Sequence, residues 1–234
     1  MSSDVLHVMP LPQIITAIGG LGTAAFGLLE ATKPVIPWIN HIGFGRIRST
    51  VTGLTPGEQD AKQPMNALPQ KKILQSLLAN WVNGTDLTSQ KAIAKSLIKL
   101  HLSAGNARAI AAETNVDPDL LTQVATSMVS GEALTTQQSD ANARFDLIVT
   151  AMLDESYQHA DQVYRNWTRG LAALIAVLLA VVGGRTLVDT GFWFSKDMLL
   201  ALLVGLLATP LAPIAKDLSS ALATAVNTMQ LVKK

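Results

Sequence analysis

The chain has 234 residues, of which 15% are charged against roughly 25% in an ordinary soluble domain, while hydrophobic residues reach 49% and the mean hydropathy is +0.31. Aromatics supply only 5%, so the apolar content is aliphatic and alanine-rich, the composition of helices that meet lipid or one another. Eighteen Lys and Arg are nearly cancelled by 17 Asp and Glu, which excludes the basic field of a nucleic-acid binder, and the absence of cysteine excludes disulfides, thiolate metal sites and a Cys nucleophile.

The first charge-free run is Pro12 to Leu29, PQIITAIGGLGTAAFGLL. An ionisable side chain near the bilayer centre costs about 2.5 to 3.5 kcal/mol, so runs of this kind mark candidate membrane spans. No Lys or Arg precedes it, as the basic leading region of a cleavable signal peptide would require, and it is read as a span near residues 12–30. Gly20 to Ala25 also match the dinucleotide pattern G-x-G-x-x-A, but Pro37 interrupts the strand that a Rossmann unit would need next. As a membrane helix the segment makes better physical sense. Gly19, Thr23, Gly27 and Ala31 form one stripe of small residues, which lets helix backbones approach closely in lipid. The stripe is expected to contact another span of the chain or the same span of a second copy. Trp38 follows as an interfacial anchor and closes an N-terminal segment, residues 1–39.

Residues 40–67 contain Gly43, Gly45, Gly53, Pro56, Gly57 and Pro64 and read as a loop or linker, with an interfacial segment near Ile42 to Ile47. From Leu68 the apolar spacing becomes helical, and residues 68–141 are expected to form a small cytoplasmic helical bundle. Its first helix turns Ile73, Leu77, Leu78 and Trp81 to one face and ends at Asn83-Gly84. The second begins near Thr88 and sets Ile93, Leu97, Ile98, Leu100 and Leu102 against Lys91, Lys95 and Lys99, which read as a solvated face, with contact to anionic lipid as the sharper alternative. A short helix over Ala107 to Glu113 is followed by Asp117-Pro118, an N-cap with proline at the first helical position, opening a helix that stops at Gly131.

Residues 142–234 read as an extended helical hairpin. No proline occurs from Asn142 to Val188, so one helix of about 70 Å at 1.5 Å per residue can run from the cytoplasm through a second span at 170–188. Along it Val149, Leu153, Tyr157, Ala160, Tyr164, Trp167 and Leu171 suggest a packing seam, matched in the tail by Ile214, Leu218, Ala221, Ala225 and Met229. Trp167 before the second span and Trp193 in the connecting loop are expected as interfacial anchors. The third span, 198–215, is the most lipid-like, and Gly205 within it is expected to tolerate a larger side chain. Pro210 and Pro213 should kink it, because each removes a backbone hydrogen bond, leaving the Leu206 and Thr209 carbonyls without their usual partners. Thr209 is expected to help relieve that loss.

The sequence therefore predicts an all-α integral membrane protein with three transmembrane helices, a small cytoplasmic bundle and an amphipathic C-terminal tail. Counting Lys and Arg beside the spans puts the N-terminus outside and the C-terminus in the cytoplasm, the orientation expected in a bacterial inner membrane. No P-loop, zinc-protease helix, nucleophile elbow or calcium loop occurs. The best acidic cluster, Asp154, Glu155, His159 and Asp161, lacks the paired Glu-x-x-His of di-metal bundles and reads as a polar exterior face. No catalytic, cofactor-binding or metal-ligating residue is expected. The partners expected are membrane lipid together with a second copy or a membrane or cytoplasmic protein, and no nucleic acid. A non-enzymatic anchor or scaffold is the leading expectation, and a homo-oligomeric channel or pore is the alternative.

Overall fold

A computed structural model describes residues 11–33, 35–56, 69–188 and 191–232, with side chains described up to residue 217 except those of residues 12 and 216. The described chain is all-helical. Eight α-helices follow in order: α1 (Leu11–Thr32), α2 (Phe44–Leu54), α3 (Gln70–Val82), α4 (Leu87–His101), α5 (Ala107–Thr114), α6 (Pro118–Ser130), α7 (Thr136–Leu187) and α8 (Lys196–Val232), with one 3-10 turn at Pro37–His41. Three of them, at Gln13–Thr32, within Thr136–Leu187 and at Lys196–Ala215, are long and apolar enough to cross a membrane. The chain forms two compact units: Met1–Ile36 with Arg165–Lys234, and Pro37–Tyr164. Helix α7 is common to both.

The second unit is a bundle whose helix ends are set by local chemistry. The Asp117 carboxylate accepts from the Asp119 and Leu120 amides, Pro118 occupies the first turn, and Gly131 closes α6 in the left-handed conformation. Asp86 caps α4 by accepting from the Ser89 amide. The core is built from Phe44, Ile47, Val51 and Leu54 of α2, Ile73 and Leu77 of α3, Ala94 and Ile98 of α4, Ile110 of α5, Leu121 of α6, and Phe145, Val149, Leu153 and Tyr157 of α7.

Two sequence expectations change here. The stretch read as linker, 40–67, contains α2, whose Phe44, Ile47, Val51 and Leu54 recur at helical spacing and are all buried; residues 57–67 of that stretch, and Leu68 after it, lie outside the described residues. The seam Val149, Leu153, Tyr157 and Ala160 does not mark the start of the hairpin at 142 but fills the bundle core, so the boundary between the units falls after Tyr164. Helix α7 enters the core directly, because its N-terminal half offers the long apolar stripe that the shorter helices need to cover.

In the first unit α1 packs on α8, and Ala25, Ala176 and Ala208 meet at a point where all three apolar helices converge. Helix α8 remains helical through Val232. The tail stripe from Leu218 to Met229 falls among side chains outside the described set, as do Lys233 and Lys234.

Candidate functional site

The interior of the membrane-type unit is lined by small residues. On α8 the buried positions through residue 215 are Ala201, Gly205, Ala208, Ala212 and Ala215, spaced 4, 3, 4 and 3. Facing them on α1 are Gly19, Gly22 and Ala25, and on α7 Ala172 and Ala176. The backbones come close as a result. A Cβ added to Gly22 would collide with the Ala208 carbonyl, one added to Gly19 would meet the Ala215 Cβ and the Leu211 carbonyl, and one added to Gly205 would lie 2.5 Å from the Val177 Cα. Gly205 is thus a contact point and not a lipid-facing position: its missing side chain is what admits the α7 backbone. The large side chains Leu178, Val182, Leu199, Leu203, Leu206 and Leu207 turn outward.

The predicted stripe is divided by this packing. Gly19 is buried against α8, whereas Thr23, Gly27 and Ala31 are exposed, and a Cβ on Gly27 would meet nothing within 4 Å. The Thr23 hydroxyl is internally satisfied, donating to the Gly19 carbonyl at 3.1 Å. Gly22, Ala25 and Leu29, one face over, are the α1 residues that share the interior with Gly19.

Pro210 and Pro213 lie inside α8, which continues through both. The Thr209 hydroxyl, expected to help there, is buried and has no hydrogen-bond partner among the described residues. In the loop before α8, the Ser195 hydroxyl accepts from the Asp197 and Met198 amides and donates to the Phe192 carbonyl at 2.6 Å, an N-cap that folds Phe192 inward against Gly184. Trp193 and Phe194 then project outward, Phe194 being 96% exposed in the left-handed backbone region at φ 63°. Trp167 is also exposed, beside Gly170 and Leu174, and Trp38 is exposed in the second unit.

The charged groups of the bundle are organised by pairs. Lys91 meets Asp154, Lys95 and Lys99 both meet Asp146, and Arg46 meets Glu155 at 3.0 Å. The three lysines of α4 are therefore not a free solvated face; they bind α4 to α7. The Lys95 and Lys99 ammonium groups hold the Asp146 carboxyl below the usual carboxylate range. Asp154 and Glu155 of the acidic cluster are engaged in these pairs, and among the described residues no three His, Asp or Glu side chains gather into a metal-binding group. Tyr157, deep in the core, has a buried hydroxyl without a hydrogen-bond partner among the described residues, and burial pushes its pKa up.

Between α2 and α3 runs a cleft of about 550 Å³. Its floor is Phe44, Leu74 and Leu78, and its rim carries His41, Arg48 and Lys71. Nothing in the sequence brings these residues together, because Gly45 and Gly53 conceal the helical character of 44–54.

No protein-family model, curated protein or solved structure matches this chain. What the fold defines is a class: an all-helical protein with three helices fit to span a membrane and a helical bundle inserted between the first and the second.

Proposed function

We propose that this protein is a non-enzymatic membrane anchor or scaffold that holds its helical bundle, and a protein partner bound to it, at a bacterial inner membrane. The observation that carries the reading is the 52-residue helix α7, about 78 Å long at 1.5 Å per residue, which contributes Phe145 to Ala160 to the bundle core and Ala172 and Ala176 to the membrane-helix interior. A single helix committed to both units suits a part whose work is attachment. The bundle also exposes Leu100, Met128, Val129 and Leu147, large apolar side chains available to a partner. Purification in mild detergent should return a stoichiometric partner protein, which Val129→Glu with Leu147→Glu should release. Recovery of the chain alone from every preparation contradicts the scaffold.

The orientation proposed has the N-terminus outside and the bundle in the cytoplasm. With no native cysteine, single-cysteine labelling is free of background. In intact cells Lys196→Cys should react with a membrane-impermeant maleimide and Ser96→Cys only after permeabilisation; both positions are exposed. The reverse pattern inverts the topology.

A homo-oligomeric channel or pore is the second reading, favoured by the outward face of α1, where Thr23, Gly27 and Ala31 present small residues to whatever lies alongside. Native mass spectrometry with ion flux in liposomes separates the two. A closed ring with flux, both lost in Gly27→Leu, supports the pore, and a monomer without flux removes it.

A further inference from the structure

We propose that the cleft between α2 and α3 binds the headgroup of an anionic phospholipid, the phosphate held by Arg48 and Lys71 and the glycerol and first methylenes lying on Phe44, Leu74 and Leu78. The charge pattern singles out this cleft. Arg46, Lys91, Lys95, Lys99 and Arg108 each have a carboxylate partner, whereas Arg48, Lys71, Lys72 and Arg144 make no ion pair among the described residues, and of these four Arg48 and Lys71 line the cleft. Arg46 and Arg48 stand two positions apart on α2 and so project to opposite sides of the helix, one to Glu155 and the other to the cleft. Among the described residues the cleft is lined by His41, Arg48 and Lys71 and by no acidic side chain.

Its build matches an amphiphile better than a free anion. Phe44 is buried at the floor and Leu74 and Leu78 are half-buried, so a small hydrophilic ion would leave apolar surface uncovered, while a headgroup with its attached hydrocarbon covers both parts. The volume lies within the range of small-molecule sites, roughly 300 to 1,000 Å³. One end of the cleft is fixed by Gln70, whose side-chain amide donates to the Thr52 and Thr55 carbonyls and ties the start of α3 to the end of α2. The source of such a ligand is implied by the chain itself: in sequence only residues 33–40 separate the end of α1 from His41, the cleft's first residue. The inference rests on the membrane reading of α1, α7 and α8 but not on the presence of a protein partner.

The test is native mass spectrometry of the full-length protein in a neutral detergent, titrated with phosphatidylglycerol or phosphatidylcholine. Anionic lipid also collects around membrane helices, so the comparison is between R48Q/K71Q and K72Q/R144Q, two double variants that remove the same charge from exposed positions, only the first touching the cleft. The expected result is one phosphatidylglycerol bound with an affinity that falls at least tenfold in R48Q/K71Q and less than twofold in K72Q/R144Q, with phosphatidylcholine not competing. Equal losses in the two variants, no loss in either, or displacement by inorganic phosphate at the concentration of the lipid would each overturn the proposal. Partner capture unaffected by R48Q/K71Q separates a failure here from a failure of the scaffold.

Discussion

The two units place opposite kinds of side chain in their interiors. In the bundle the core is built on large side chains, Phe145, Tyr157, Ile47, Ile98 and Leu121 among them, with alanines such as Ala94 and Ala107 between them, and paired lysines and acids lie toward the outside. In the membrane-type unit the interior of α8 is alanine and glycine, while leucines face outward. The two surrounding media reward different packing. In water, apolar area withdrawn from solvent drives packing at about 25 cal/mol per Å², so large side chains go inside. Lipid offers no such drive, since a leucine gains little by leaving hydrocarbon, and helices associate instead through close backbone contact at small residues. Helix α7 follows both rules along its own length, with Phe145, Val149, Leu153 and Tyr157 inward in the first half and Ala172 and Ala176 in the second.

The contrast can be broken most sharply by truncation in the bundle. Phe145→Ala removes a fully buried ring and should destabilise the bundle by about 3 to 5 kcal/mol, measured by amide exchange of α4 and α7 in the full-length protein. The same logic reverses in the other unit. Leu203→Ala, an outward truncation, should cost less than about 0.5 kcal/mol, whereas Gly205→Leu must push α7 away and should cost about 1 to 3 kcal/mol, read from thermal unfolding in mild detergent.

Two smaller effects sharpen the bundle side. Tyr157→Phe removes a buried hydroxyl that has no hydrogen-bond partner among the described residues and should stabilise by about 1 kcal/mol. Because burial raises the folded-state pKa of Tyr157 above its ordinary 10.0, the tyrosine protein should also lose stability as the pH rises above that value, and the phenylalanine variant should lose less. Asp146→Asn should cost about 0.5 to 1 kcal/mol near neutral pH, the groups being partly exposed and screened. The folded pKa of Asp146 is depressed, so its contribution is present above the ordinary 3.8 and fades as the pH falls through the lower folded value; the variant should lack that part of the acid transition.

Features decided within a few residues were readable from the sequence. The cap Asp117-Pro118, the stop at Gly131 and the three charge-free runs depend on nearby chemistry alone. Helix α2 was obscured because Gly45 and Gly53 weaken helix propensity, although Phe44, Ile47, Val51 and Leu54 already had the spacing. The roles of Lys91, Lys95 and Lys99 depend on carboxylates 63, 51 and 47 residues away, a separation at which no local pattern speaks. Helix α1 carries two small-residue faces. Which of them turns inward is decided by Ala208, Ala212 and Ala215 on α8, and that choice exists only once the helices meet. The α8 seam itself, Ala201 to Ala215, has in the sequence the same small-residue spacing as the α1 stripe, but the leucines around Gly205 conceal its contact with Val177.

Spin labels placed one at a time along residues 198–215 in liposomes distinguish a helix α8 that turns its leucine face to lipid and its alanine and glycine face to protein from one that does not. Oxygen accessibility should peak at positions 199, 203, 206 and 207 and fall at 201, 205, 208 and 212, with a polar relaxation agent excluded from all of the central positions. Free access of the polar agent at 203 and 206, or an oxygen profile without that periodicity, would mean that the leucine face of α8 does not lie in lipid.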